Sequence, residues 1–123
     1  MSHGAIEWID IPAIDTDASA KFYATVFGWK IQTDARFGDY PMFEDADGRM
    51  GGGFWRSGRP STDAGAMLYI TVEEIDAVLA KVADHGGAPI QAKTEIHPLV
   101  GWYAVFRDPA GNGIGLFQRA KKV

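Results

Sequence analysis

Residues 106–117, FRDPAGNGIGLF, have an earlier counterpart in residues 43–54, FEDADGRMGGGF. Within and just before the two stretches, six identities share one offset of 63 residues. They are Tyr40/Tyr103, Phe43/Phe106, Asp45/Asp108, Gly48/Gly111, Gly52/Gly115 and Phe54/Phe117. A constant offset indicates an internal duplication. In each copy the Asp and Gly residues predict a turn between two strands.

The composition limits the class of protein. A chain of 123 residues that is 46% hydrophobic and 23% charged predicts one globular domain. The net charge of −4 argues against a nucleic-acid partner. The absence of cysteine excludes disulfides, thiolate chemistry and cysteine-type zinc sites. No apolar run approaches the roughly 18 residues of a membrane span, so a cytoplasmic protein without membrane contact is expected.

The pattern of apolar, capping and turn residues predicts the same order of elements in both halves. The first half is predicted to contain a strand at 5–12, a helix at 15–28 and strands at 29–34, 39–45 and 48–55. The second half is predicted to contain a strand at 66–72, a helix at 73–87 and strands at 89–96, 101–107 and 112–118. A polar stretch with Gly and Pro, residues 56–65, separates them.

These elements predict an α+β fold of two βαβββ modules in a pseudo-twofold arrangement within a single domain, residues 1–123. Module one covers about 4–56, the linker about 57–65 and module two about 66–119. A small sheet with one helix cannot cover both of its own faces. The modules are therefore expected to pack on each other or on a partner, and a homodimer is predicted.

Two stretches carry a family resemblance. FYATVFGW at residues 22–29 closes the first predicted helix, and FRDPAGNGIGLF forms the last predicted hairpin. Together, within the duplicated frame, they resemble the vicinal oxygen chelate superfamily, which includes glyoxalase I, bleomycin-resistance proteins and extradiol dioxygenases. The resemblance covers essentially the whole chain and implies the fold of paired βαβββ modules.

The resemblance also implies where metal ligands would lie. Metal enzymes of the superfamily take His, Gln or Glu ligands from the first and last strands of each module. Those positions fall here on Trp8 and Met67 in the first strands, and on Gly52 and Gly115 in the last. Indole offers only a donor, thioether is a soft and weak ligand, and glycine has no side chain. We therefore expect no metal and no cofactor.

Apolar residues at the vacated positions predict a cleft that binds a small apolar or aromatic molecule. The glycines are expected to leave space in it for the ligand. The candidate ligand-binding residues are Trp8, Asp10, Gly52, Phe54, Met67, Tyr69, Gly115 and Phe117.

Four alternatives stay open. In the first alternative, the side chains of Trp8 and Met67 fill the space of the missing metal, and the cleft binds no ligand. The chain would be a metal-dependent lyase or dioxygenase, which the four ligand positions oppose. It would be a metal-free enzyme of the same superfamily, a lyase, isomerase or dioxygenase that acts on a small organic substrate with Asp10 or His97 as the acid–base group. It would be an accessory module that interacts with another protein.

Overall fold

Each half of the chain folds into a four-stranded mixed sheet with one helix, which confirms the predicted βαβββ order. The computed structural model describes residues 3–38, 40–62 and 65–121. The chain separates into two units, Met1–Arg59 and Pro60–Val123. The first unit contains β1 (Trp8–Ala13), α1 (Thr16–Phe27), β2 (Lys30–Gln32), a 3-10 helix (Ala35–Phe37), β3 (Met42–Glu44) and β4 (Gly51–Arg56). The second contains β5 (Tyr69–Thr71), α2 (Ile75–Asp84), β6 (Ala88–His97), β7 (Gly101–Arg107) and β8 (Gly113–Arg119).

The two sheets have the same topology. Their strand orders are β1-β4-β3-β2 and β5-β8-β7-β6, and in each the first and last strands of the unit are parallel neighbours. The other neighbours are antiparallel. The last strand therefore lies inside each sheet, between the first strand and the third.

A local cap begins α1, whereas a long-range hydrogen bond caps the start of α2. The Asp15 side chain accepts a hydrogen bond from the Ala18 N–H at 3.0 Å, and Gly28 ends α1 with a φ of 72°. In α2 the Ile75 N–H donates instead to Gln118 Oε1 of β8, at 2.8 Å. That helix ends at Asp84, three residues before the predicted end. Neither helix of the described residues is long and apolar enough to cross a bilayer.

The region after α1 differs from the prediction. Strands β2 and β3 have three residues each, and a 3-10 helix that the sequence analysis missed lies between them. The Asp34 side chain accepts a hydrogen bond from the Arg36 N–H at 2.9 Å. This bond caps the 3-10 helix, so residues 35–37 do not continue the extended conformation of β2.

Part of the predicted linker is fixed to the second unit. The Ser61 N–H donates to Asn112 Oδ1 at 2.8 Å, and the Gly113 N–H donates to the Ser61 carbonyl at 2.7 Å. Asn112 is itself held by Asp108, whose Oδ2 accepts from Nδ2 at 2.9 Å. Residues 63 and 64 of the predicted linker lie outside the described part.

Stacked aromatic rings form the core of the first unit. Tyr23 of α1 stacks on Phe54 and on Trp29, with ring centroids 5.5 and 4.6 Å apart. Trp29 in turn stacks on Phe43 at 4.4 Å. Because Phe43 and Phe54 belong to β3 and β4, α1 covers the face of the first sheet on which these rings lie. The opposite face is called the open face below.

Candidate functional site

The hairpins that end the two units differ in length by one residue. The Asp45 N–H bonds to the Met50 carbonyl, whereas the Asp108 N–H bonds to the Asn112 carbonyl. Both turns use a left-handed glycine, Gly48 with a φ of 71° and Gly111 with a φ of 92°. After that glycine the first hairpin has two residues before β4 begins, and the second has one residue before β8 begins.

The extra residue changes which β4 side chains face the same way as Trp8. Strand register pairs Trp8 with Gly51 and Asp10 with Gly53. Side chains of directly paired residues share a face, and a shift of one residue reverses the face. The β4 residues on the open face are therefore Gly51, Gly53 and Trp55.

Two predicted site residues consequently lie on the helix-covered face. Phe54 is fully buried against Tyr23. A β-carbon on Gly52 would lie 2.6 Å from the Phe43 ring and would also overlap the carbonyl oxygen of Ile9. The prediction that Gly52 and Phe54 line a surface with Trp8 and Asp10 is corrected, because the offset of 63 residues holds only up to the turn glycines.

Trp8 and Asp10 lie together on the open face, where a third residue joins them. The Trp8 Nε1–H is shared between Tyr40 Oη at 2.9 Å and Asp10 Oδ1 at 3.2 Å. The Tyr40 hydroxyl donates to the same Asp10 Oδ1 at 2.5 Å. We call these three residues the Trp8–Asp10–Tyr40 network. Tyr40 was not predicted as a site residue, although its repeat partner Tyr103 and its alternation with Met42 and Glu44 were signals that it faces this side.

The absence of a side chain at Gly53 makes room for the network. A β-carbon there would lie 2.6 Å from Tyr40 Cε1 and would overlap the phenol end of the ring. In the second unit, Gly115 has the same relation to Tyr69, whose Cγ would lie 3.0 Å from an added β-carbon. The glycines in the last strands thus accommodate aromatic rings of the protein itself, and the space predicted at Gly115 for a ligand is covered by Tyr69.

Tyr40 stays protonated at neutral pH. Burial raises the pKa of its phenol above the ordinary value of 10.0, and donation to Asp10 raises it further. The Trp8 N–H, which favours the phenolate, opposes these effects, while the negative charge of Asp10 adds to them. The hydroxyl therefore remains a donor to Asp10 through the physiological range.

The indole of Trp8 borders a depression on the open face. Its volume is about 260 Å³. The floor includes Gly51, above which the indole carbon Cζ3 lies close to the position of a missing β-carbon, at 3.8 Å. The lining residues are Trp8, Gln32, Met42, Phe43, Glu44, Gly48, Arg49, Met50 and Gly51. Two of them, Arg49 and Met50, come from the longer hairpin.

The predicted residues of the second unit share one face of its sheet. Tyr69 pairs with Gly115, and Thr71 pairs with Phe117. Tyr69 is 51% exposed and Met67 is 38% exposed, whereas Gly115 is buried beneath the Tyr69 ring. The Arg119 guanidinium carbon lies 5.6 Å from the centroid of the partly buried Phe117 ring. This face therefore presents aromatic and apolar side chains together with two arginines, Arg107 and Arg119.

The side chains at the family's metal positions do not fit a divalent ion. Gly51, Gly53, Gly113 and Gly115 hold the last-strand positions that face the same way as the first-strand residues Trp8 and Tyr69. Glycine supplies no ligand, and indole and thioether are poor ligands for such ions. Within the part of the chain that the structure describes, no group of three His, Asp or Glu side chains could hold a metal.

His97 is the last residue of β6. Its side chain is exposed, and Nδ1 accepts a hydrogen bond from the Leu99 N–H at 3.0 Å. Nδ1 thereby stabilises the turn between β6 and β7, and only Nε2 is left for other contacts. Asp10 and His97, the two predicted acid–base residues, belong to different units.

The sequence profile of the Glyoxalase/Bleomycin resistance protein/Dioxygenase superfamily matches residues 5–116. The chain belongs to this superfamily. This membership confirms the resemblance that the repeated hairpin and the FYATVFGW stretch indicated.

Known proteins of three kinds are similar to this superfamily member. A glyoxylase-like domain-containing protein of Didymella fabae is 31% identical, and the match covers 98% of each chain. The anthracycline biosynthesis protein DnrV of Streptomyces peucetius is 30% identical over 94% of this chain, which spans only 47% of that protein. The structure of TnmS3, an antibiotic binding protein from Streptomyces sp. CB03234, superposes with a TM-score of 0.71 at 22% identity, covering 98% of this chain and 99% of that one. The last likeness shows the fold alone.

Proposed function

We propose that this chain is a metal-independent binding protein for a small apolar or aromatic molecule, and that the ligand stacks on Trp8. The observation that carries the proposal is that hydrogen bonds fix the orientation of the Trp8 indole while its ring stays exposed to solvent. Its N–H is engaged by Tyr40 and Asp10, while 49% of the residue is exposed. A ring already fixed loses little conformational freedom when a ligand binds.

The depression beside Trp8 supports a ligand group of one or two rings. An apolar cavity of about 150 Å³ holds benzene, so a volume of about 260 Å³ suits a fused pair of rings. Met42 and Met50 add polarizable, adaptable contacts for aromatic surfaces. The exposed Tyr69 and the partly exposed Phe117, with Met67, form the corresponding surface of the second unit, and we propose that this surface also binds a small apolar or aromatic molecule. Gly115 contributes by leaving room for the Tyr69 ring.

Metal independence is part of the proposal and is supported by the ligand chemistry described above. The similarity to an anthracycline biosynthesis protein, of which this chain spans 47%, agrees with a small organic ligand. A homodimer and a cytoplasmic location stay predictions.

Calorimetric titration with two-ring aromatic compounds tests the binding function. Trp8→Ala removes the stacking surface, which we expect to weaken binding by roughly 1.5–3 kcal/mol, about tenfold to a hundredfold. Trp55→Ala is the matched control, because Trp55 is 45% exposed on the same face but does not line the depression. We expect its affinity to stay within about twofold of the parent protein.

Two results would contradict this function. One is the absence of binding by any naphthalene compound at concentrations up to its solubility, which would favour a cleft that binds no ligand. The other is an equal loss of affinity in Trp8→Ala and Trp55→Ala. Separately, zinc, nickel or iron bound stoichiometrically by the purified protein would refute metal independence.

A second candidate is a metal-free enzyme of the superfamily that uses Asp10 as a general base. The observation in its favour is that both hydrogen bonds to this carboxylate go to Oδ1, so that Oδ2 can accept a proton. Turnover of a bound substrate that Asp10→Asn abolishes without weakening binding would support it. Binding without turnover leaves the first candidate.

A further inference from the structure

We infer that the ligand at Trp8 carries a positively charged amine, which Asp10 binds through Oδ2. This inference rests on the binding function proposed above and names the chemical class of its ligand.

The orientation of the Asp10 carboxylate is the first observation. Oδ1 accepts from both Trp8 and Tyr40, and these two bonds fix the plane of the carboxylate. Within residues 3–38, 40–62 and 65–121, Oδ2 accepts no hydrogen bond and Asp10 forms no ion pair. An exposed, oriented carboxylate oxygen is an acceptor that a ligand donor can approach without rearranging the protein.

The position of the Asp10 carboxylate relative to the indole is the second observation. Oδ1 lies 3.2 Å from Trp8 Nε1, so the carboxylate stands at the edge of the ring. A group stacked on the indole is therefore close to Asp10. An ammonium group gains both from the carboxylate and from the face of Trp, which attracts cations more strongly than the other aromatic rings do.

The charges around the site favour a cation over a neutral donor. The depression is lined by one carboxylate, Glu44, and one guanidinium, Arg49, whose charges offset each other. Lys30, which pairs with Glu44, also lies on the open face. Asp10 is the charged group that lies at the edge of the indole itself. The phenol of Tyr40 contributes no charge, since it remains protonated at neutral pH.

Tyr40 acts as a positioning residue in this arrangement. Its ring lies over Gly53 and its hydroxyl reaches Asp10 from 30 residues away in sequence. Tyr40→Phe keeps the ring and removes the hydrogen bond, so the carboxylate can rotate. We expect this variant to retain binding of neutral aromatic compounds and to lose part of the preference for a cation.

Three probes that share one ring system test the inference by calorimetry at pH 7: naphthylmethylammonium, naphthylmethanol and naphthoate. The parent protein should bind the ammonium about tenfold more tightly than the alcohol, and the carboxylate most weakly. Asp10→Asn should lower the ratio of the ammonium affinity to the alcohol affinity from about ten to about one. Asp84→Asn is the matched control, because it removes an exposed carboxylate at the end of α2 in the second unit. We expect this control to change neither the affinity for the three probes nor the preference for the ammonium.

The outcomes separate the inference from the function on which it rests. If the alcohol binds as tightly as the ammonium and Trp8→Ala abolishes both, the proposed function stands and the inference is refuted. A cation preference that survives in Asp10→Asn, or that Asp84→Asn lowers equally, also refutes it. If none of the three probes binds, both are refuted. Circular dichroism of each variant checks that it is folded. A partial loss of the cation preference in Tyr40→Phe supports the inference, because that substitution leaves Asp10 in place.

Discussion

Alanine at each of three adjacent glycines should have three different effects, and Gly53→Ala is the decisive variant. The new methyl group would lie 2.6 Å from Tyr40 Cε1, whereas carbon atoms in favourable contact are about 3.5–4.0 Å apart. Cζ of the same ring would be closer still, so the Tyr40 ring must move by more than about 1 Å or rotate away. Either movement breaks its hydrogen bonds with Asp10 and Trp8.

The magnitude follows from three contributions. Overpacking costs about 1–3 kcal/mol, and each lost hydrogen bond costs about 0.5–1.5 kcal/mol. Replacement of a strand glycine by alanine returns about 0.5–1 kcal/mol. We expect Gly53→Ala to lower the free energy of unfolding by about 2–4 kcal/mol.

Gly51→Ala is the matched control on the same strand and the same face. Its methyl group would meet the Phe43 carbonyl at 3.2 Å and Trp8 Cζ3 at 3.8 Å, so it needs only a small adjustment. We expect its stability to stay within about 1 kcal/mol of the parent protein. Gly52→Ala should be the most damaging of the three, because its methyl group would overlap a backbone carbonyl in β1, which cannot turn aside as a side chain can.

Urea denaturation followed by circular dichroism measures these differences. The reasoning is refuted if Gly53→Ala is no less stable than Gly51→Ala. It is also refuted if Gly53→Ala is destabilised while the titration of Tyr40, followed by tyrosinate absorbance, remains that of the parent protein.

Two further predictions follow from other contacts. Because the pKa of Tyr40 is raised in the folded protein, the stability that this residue contributes is complete below pH 10 and is lost as the pH rises through the higher folded value. Urea denaturation at pH 9 and pH 11 should show a smaller decrease in Tyr40→Phe than in the parent protein, and an equal decrease would exclude this contribution. Gln118→Leu should cost about 1–3 kcal/mol, because it leaves the buried Ile75 N–H at the start of α2 without its acceptor. Gln91→Leu on the exposed strand β6 is its control, and equal losses in the two variants would contradict the capping role.

The sequence was sufficient to predict the order of elements and, in the second unit, which residues share a face of the sheet. Asp15 and Gly28 predicted the limits of α1, because capping chemistry is local. In the second unit, Tyr69 and Phe117 were correctly expected to share a face with Gly115. In that unit, the alternation of side chains along each strand was enough to predict the face, since the second hairpin carries no extra residue.

In the first unit the same reasoning failed, for a physical reason. Residues 51–53 are all glycine, so matching by identity cannot decide which of them corresponds to Gly115. The answer depends on how many residues the turn holds after Gly48, and a difference of one residue reverses the face. The contact between Tyr40 and Asp10 was equally inaccessible, because it depends on a ring orientation that only the missing side chain at Gly53 permits.

For a duplicated gene, the longer β3–β4 hairpin has an evolutionary consequence. A single added codon after Gly48 moves every following side chain of the strand from one surface to the other, without any amino-acid replacement. Two copies of one ancestral segment can thus come to expose different side chains on the same face through a change in length alone. Their glycines still align by identity when no gap is introduced. Ancestral reconstruction of such repeats therefore needs a gap at residues 49–50, where an alignment by identity places none.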